Sequence, residues 1–371
     1  MEYYLKEYSI QEVFQLVDKN LIDLSPAYQR NFIWSPDNQK ELIDTILKDY
    51  PLPSFFFYEK KDKTFEMVDG QQRTKTIIRF IQGFITSSKE FDRVTFDRID
   101  QEKFLNYRIS VIIIKTLQNE SLLKEFYVLI NKKGVHLNIA EVNKSEFFDT
   151  NFMKLANELL SYQNLINLDL FSEAVVKRMN DRSFVEELLA YLYSGTKEKR
   201  KSVENVFKTD ISDGDYKYLD NQFKRVIDKI ETLNRISPIS ETRYKQKNDF
   251  YTLFSFINEN IDSNMDLLNF QYAILLFIDG NDKEGRQMIR PSNSECEAFR
   301  EYANNCITQS NSRAARENRL KFFNALLKNE STQNNEILIS VLDYLSSLYG
   351  NDKISLKKIN GYELLDVERI K

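Results

Sequence analysis

The sequence predicts an α+β N-terminal domain, a small mixed sheet with helices, followed by an all-α C-terminal domain. Three observations predict it. Gly (9) and Pro (6) are scarce in 371 residues, and long stretches are rich in Leu, Lys, Glu, Asn and Phe, which favours helices. Runs of aromatic and β-branched residues that suit strands lie in the first third of the chain, at Ser54 to Glu59, Thr64 to Val68 and Tyr107 to Lys115. From about Ala140 onward apolar residues recur at three- and four-residue intervals. The shift in pattern near residue 145 divides the chain into domains at 1–145 and 146–371.

Taken in order, Ser9 to Lys19 reads as a helix: Ser9 and Glu12 have capping-box spacing, and Ile10, Val13, Phe14 and Val17 share a face. Residues 21–34 read as irregular or extended. Ser35-Pro36 opens a second helix, with Leu42, Ile43, Ile46 and Leu47 as its apolar face, and Pro51-Leu52-Pro53 stops it. The strands at 54–59 and 64–68 flank a polar turn and read as a hairpin. From Gln71 to Ile85 the pattern is helical again. Val111 to Ile114 suits a strand buried on both faces. Ser121 to Ile130 reads as helix and Asn131 to Asn138 as loop. Further helices are expected at 147–160, 183–193, 216–233, 249–258 and 316–327.

Composition narrows the function. Apolar residues make up 42% of the chain, including 27 Phe and 20 Tyr, enough for a sizeable core. The net charge of -4 is not the basic balance of a dedicated nucleic-acid binder, though a local basic patch stays open. Two Cys, 296 and 306, fit a reducing compartment and no disulfide framework. The first residues lack the pattern of a secretion signal, and no apolar run nears ~20 residues. The expectation is a cytoplasmic protein with no membrane partner. His136 is the only histidine, which excludes a two-His metal site, an HNH nuclease or an HD-type phosphohydrolase within this sequence.

Two motifs carry candidate chemistry. Asp69-Gly70-Gln71-Gln72-Arg73 sits where a predicted strand meets a predicted helix, and backbone N–H groups at such a junction suit an anion. Gly70 permits close approach of backbone to a ligand. Arg73 offers a planar fork for phosphate, and Gln71 and Gln72 offer amides for phosphate oxygens or a water. Asp69 suits a general base or a magnesium ligand. The plainer reading is a tight turn in which Asp69 caps the helix and Arg73 pairs with a carboxylate. Pro26-Ala27-Tyr28-Gln29-Arg30, followed by Trp34, repeats the amide-plus-guanidinium chemistry. Its aromatic residues either stack on a base or anchor a loop.

Together the motifs resemble those of the N-terminal domain of the GmrSD-type restriction proteins, the DUF262 family. The family's I-P-x-Y-Q-R-x-x-x-W segment reads here Ser25 to Trp34, with Ser25 in place of the usual aliphatic residue. D-G-Q-Q-R is intact through Arg73, followed by Thr74-Lys75-Thr76 where Leu-Thr-Thr is more usual. Phe126 to Asn131, Gly134, Leu137 and Glu141 resemble a further stretch of the family. The resemblance implies a ParB/sulfiredoxin-like fold and binding of a nucleoside triphosphate, with Mg2+. Tyr28, Gln29, Arg30, Gly70, Gln71 and Arg73 would bind it, with Asp69, Gln72 and Arg73 as catalytic residues. It also implies control of DNA cleavage in restriction and phage defence. No Asp-His pair occurs in the sequence, so the cutting site would come from a partner nuclease or effector. A non-enzymatic DNA-binding or adaptor protein and a metal-dependent nuclease are the competing readings.

Other features are weaker. Gly280 to Gln287 lacks the Lys-Ser/Thr of a phosphate-binding loop. The Cys residues read as inert. Lys197 to Lys201 is a basic run, either solvated or touching DNA. Arg313, Arg316 and Arg319 share a helical face and would meet either phosphate or acidic neighbours.

Overall fold

A computed structural model describes residues 2–26, 32, 34–116, 126–127, 129, 143–144, 146–197 and 199–370. The chain forms two compact units, residues 1–148 with 173–180, and residues 149–172 with 181–371.

In the first unit, strand β1 (Glu2–Ser9) leads into helix α1 (Ile10–Asp18), and a short β2 (Ile22–Asp23) follows. Helix α2 (Pro36–Leu47) precedes the hairpin of β3 (Phe55–Glu59) and β4 (Phe65–Asp69). Helix α3 (Gln71–Ile81), helix α4 (Gln101–Asn106) and β5 (Arg108–Thr116) come next. The strands make one mixed sheet in the order β1-β5-β3-β4-β2. β1 runs antiparallel to β5, β5 parallel to β3, β3 antiparallel to β4, and β4 parallel to β2.

Local signals start the helices as the sequence predicts. Ser9 and Glu12 form a reciprocal capping box at α1, and the Ser35 side chain caps α2 with Pro36 in its first turn. β5 and β3 sit mid-sheet. Phe55, Phe57, Val111 and Ile113 have no exposed surface and pack with Ile43, Ile77, Phe80 and Phe104 of the helices. Val68, Ile114, Phe56 and Tyr58 form a smaller cluster with Phe126, Tyr127 and Phe148.

The second unit is built mainly from helices α5 (Asn151–Leu160), α6 (Asn180–Ser194), α7 (Lys199–Thr209), α8 (Asp213–Asn234), α9 (Lys247–Glu259), α10 (Met265–Ile278), α11 (Glu297–Ile307), α12 (Arg313–Leu327) and α13 (Glu336–Tyr349). Phe223, Phe250, Phe254, Phe299 and Leu327 are fully buried among them. The unit is not wholly α: a hairpin of β6 (Leu356–Ile359) and β7 (Tyr362–Leu365) follows the last long helix. Its Asn360-Gly361 turn has positive φ at both residues, 47° and 90°, as a tight two-residue hairpin turn requires. Among the described residues no helix is long and apolar enough to cross a membrane.

Candidate functional site

Strand β4 ends at Asp69, Gly70 turns the chain, and α3 begins at Gln71. Gly70 is the N-cap residue of α3, at φ 107°, and no side chain caps the helix there. A Cβ at this position would lie 2.3 Å from a ring carbon of Phe55, so both the dihedral and the space require glycine. Gly70 has no side chain with which to cap α3, and the first turn of the helix lies at the positive end of its dipole.

Side chains of this turn reach three different segments of chain. Arg73 Nη2 bonds Asp69 Oδ2 at 2.6 Å and the Ser54 carbonyl at 3.2 Å. Its Nη1 donates to the Pro53 carbonyl, and the guanidinium lies 4.2 Å over the Phe55 ring. Burial lowers its pKa from the usual arginine value, against the raising pull of Asp69. The Arg73 side chain is only 11% exposed, whereas Asp69 keeps 37%. Arg73 therefore pairs with the carboxylate four residues before it, as the plainer reading of the motif expected.

The two glutamines are also engaged. Gln71 Nε2 donates to the Leu24 carbonyl at 2.8 Å and to Ser25 Oγ at 3.4 Å. Gln72 accepts from the Trp34 backbone N–H at 3.2 Å, and its Nε2 donates to Gln71 Oε1 at 3.1 Å. Both are buried. Leu24-Ser25 and Trp34 are the points where the chain enters and leaves the first motif, so the second motif holds the first at both ends. Gln39 of α2 adds a bond to the Trp34 carbonyl at 3.1 Å, and Trp34 packs partly against the core. Tyr28, Gln29 and Arg30, assigned to ligand binding from the sequence, lie outside the described residues, as do Asn131, Gly134, His136, Leu137 and Glu141.

Lys75, one turn into α3, departs from the family pattern in the sequence, as does Ser25. The structure joins them: Lys75 Nζ donates to Ser25 Oγ at 2.8 Å. Lys75 is half-buried, and burial lowers its pKa from the ordinary lysine value, opposed by Asp23. Asp23 in turn accepts the Ser25 backbone N–H at 2.8 Å.

Asp69 Oδ2 faces Arg73, which leaves Oδ1 for a metal or a water. One partly exposed carboxylate fits Mg2+, which is commonly held by one or two carboxylates together with phosphate oxygens. Among the described residues no group of three His, Cys, Asp or Glu side chains is arranged to hold a metal. A cavity of about 420 Å³ in the first unit is lined by Asp49, Phe91, Asp100 and Tyr107 and by no described residue of either motif. Another, of about 540 Å³, is lined by Arg243, Asp279, Arg290 and Cys306 in the second.

The arginines of α12 are structural. Buried Arg316 pairs with buried Glu187, donates to the Lys197 carbonyl at 3.2 Å and stacks 4.1 Å over Tyr251. Arg319, 1% exposed, donates to the Asn305 and Ser310 carbonyls and to Thr252. Exposed Arg313 pairs with Glu317. Within the basic run, Lys199 pairs with Glu187 at 2.6 Å. The turn at Gly280 to Gln287 is braced by Asp282, which accepts from the Glu284 and Arg286 N–H groups at 2.9 Å each.

No curated protein and no solved structure matches the chain. The family model for the GmrSD restriction endonuclease, N-terminal domain, matches residues 10–148. That span holds the β4–Gly70–α3 junction, both ends of the first motif and the core that supports them. The match over residues 10–148 supports the GmrSD-type resemblance that the two motifs carry.

Proposed function

We propose that this chain is the NTP-binding and NTP-hydrolysing module of a DNA restriction system active in phage defence, working with a separate nuclease or effector. The observation that carries the proposal is the β4–Gly70–α3 junction. The first turn of α3 follows a glycine that lets strand β4 turn sharply against the Phe55 ring, and a partly exposed carboxylate stands at the end of that strand. Such a junction attracts phosphate through oriented N–H groups and the helix dipole. The family match supplies the restriction context.

The roles shift from those the sequence alone suggests. Asp69 Oδ1 would orient an attacking water or bind Mg2+, while Arg73 fixes the carboxylate through Oδ2. Gln71 and Gln72 position the chain entering and leaving the first motif. Tyr28, Gln29 and Arg30 of that motif would complete the ligand contacts.

Phosphate release from ATP, GTP, CTP and UTP with Mg2+, for the wild type and for Asp69→Asn, tests the reading. Release is expected from at least one nucleotide and is expected to drop in the variant. Absence of nucleotide binding by calorimetry at millimolar ligand sinks it. Salt-dependent DNA binding without turnover would move the assignment to an adaptor.

A further inference from the structure

The geometry points to Lys75 as a phosphate-contacting residue of this chain, the cation that meets the polyphosphate of a nucleotide at the α3 junction. The inference rests on the nucleotide reading above and assigns a residue that lies outside the D-G-Q-Q-R segment.

Two cationic side chains belong to the first turns of α3, and they are differently committed. Arg73 is held by Asp69 Oδ2 at 2.6 Å, by the Pro53 and Ser54 carbonyls and by the Phe55 ring. Moving it onto a ligand would break an ion pair and the hydrogen bonds to the Pro53 and Ser54 carbonyls. Lys75 forms no ion pair among the described residues. Its recorded partner is a neutral hydroxyl, Ser25 Oγ at 2.8 Å. The nearest acidic influence, Asp23, already accepts the Ser25 N–H.

The side chain is also placed for the task. Residues four apart on a helix share a face, so Gln71 and Lys75 lie one above the other, and both reach Ser25. Gln71 belongs to the first turn of α3, and the Lys75 backbone lies about one turn further along, with its ammonium on the same Ser25 hydroxyl that Gln71 reaches. An ammonium has three donors. One bond to Ser25 leaves two for phosphate oxygens. A half-buried cation with no ion pair among the described residues gains from an arriving anion more than an exposed one does, because less water screens the pair. Ser25 fixes the ammonium where the chain enters the first motif.

Equilibrium binding of ATP, ADP, AMP and inorganic tripolyphosphate, each with Mg2+, tests this on the full chain for the wild type, Lys75→Met, Lys75→Arg and Ser25→Ala. The nucleotide that wild type binds best replaces adenine if another base is preferred. Lys75→Met is expected to weaken triphosphate binding by about tenfold or more and monophosphate binding by less, with Lys75→Arg restoring most of the loss. Tripolyphosphate is expected to compete with ATP in wild type and poorly in Lys75→Met. Ser25→Ala is expected to weaken triphosphate binding severalfold while leaving the fold intact by circular dichroism. Equal affinities in wild type, Lys75→Met and Lys75→Arg overturn the role of Lys75 and leave the nucleotide site standing. A wild type that binds no nucleotide overturns both. If a duplex oligonucleotide displaces tripolyphosphate while no nucleotide binds, the phosphate belongs to DNA and the nucleotide assignment falls.

Discussion

Gly70 is the residue on which the candidate site turns. Its φ of 107° lies where side chains are strained, and an added methyl would meet the Phe55 ring at 2.3 Å. Phe55 is fully buried in the middle of the sheet and cannot move aside without disturbing the core. Gly70→Ala is therefore expected to destabilise the first unit by about 2 kcal/mol or more, combining backbone strain with overpacking. Urea unfolding measures it, and a loss under about 0.5 kcal/mol would show that the junction tolerates a side chain. Arg73 illustrates the other side of the same turn. Its charge and planar shape suit phosphate, yet its position four residues from Asp69 and above Phe55 commits it to the turn itself.

Helix α12 separates three similar arginines by what each touches. Arg316 and Glu187 are 3% and 4% exposed, so removing one leaves the other buried and uncompensated, apart from the Lys199 contact. Arg316→Met is expected to cost about 3–5 kcal/mol, whereas Arg313→Ala, at the exposed start of the helix, is expected to stay within about 0.5 kcal/mol. Thermal unfolding followed at a helix signal separates the two. Similar losses would mean the burial contrast does not set the energetics. What could be read from the sequence follows the same division between near and far partners. The caps at Ser9 and Ser35 are three-residue relations, visible as spacing, and both are present. β1 has no clear signal in the sequence, because only Tyr8 and Ser9 at its end are buried and it lacks the alternation of a half-buried strand. The β6–β7 hairpin carries its signal in Asn360-Gly361, but its four-residue flanks are too short to show a clear alternation. At the site, the identities of Asp69 to Arg73 were legible but their partners were not. Gln71 and Gln72 bond residues 47 and 38 positions away. Spacing within a motif does not disclose such contacts.

At the scale of the molecule, the interior holds many ionisable groups in their neutral form. Burial, with Asp249 beside it, pushes the Cys306 thiol from 9.0 up to about 12, and burial pushes Tyr251 from 10.0 up to about 12. In the unfolded chain these groups lose their protons near the ordinary values, while the fold retains them to about 12. Between about pH 9 and 12 the folded state therefore binds more protons, and stability falls as pH rises. Their contribution is full below about pH 9 and erodes by up to about 1.4 kcal/mol per pH unit for each group. Unfolding free energies at pH about 8 and about 10.5 are expected to differ in that direction. A flat or rising profile would contradict it. The same protonation, with Cys296 fully buried, accounts for the inertness expected of both thiols.

Trp34 adds one more consequence. It is the only tryptophan in 371 residues. Its N–H is bonded to Gln72 and its carbonyl to Gln39, so it is fastened at the closing end of the first motif, beside α3. The chain thus carries its single tryptophan next to the candidate ligand site and none in the helical unit. Tryptophan emission, excited at wavelengths where tyrosine does not absorb, reports that neighbourhood on titration with nucleotide, without a label.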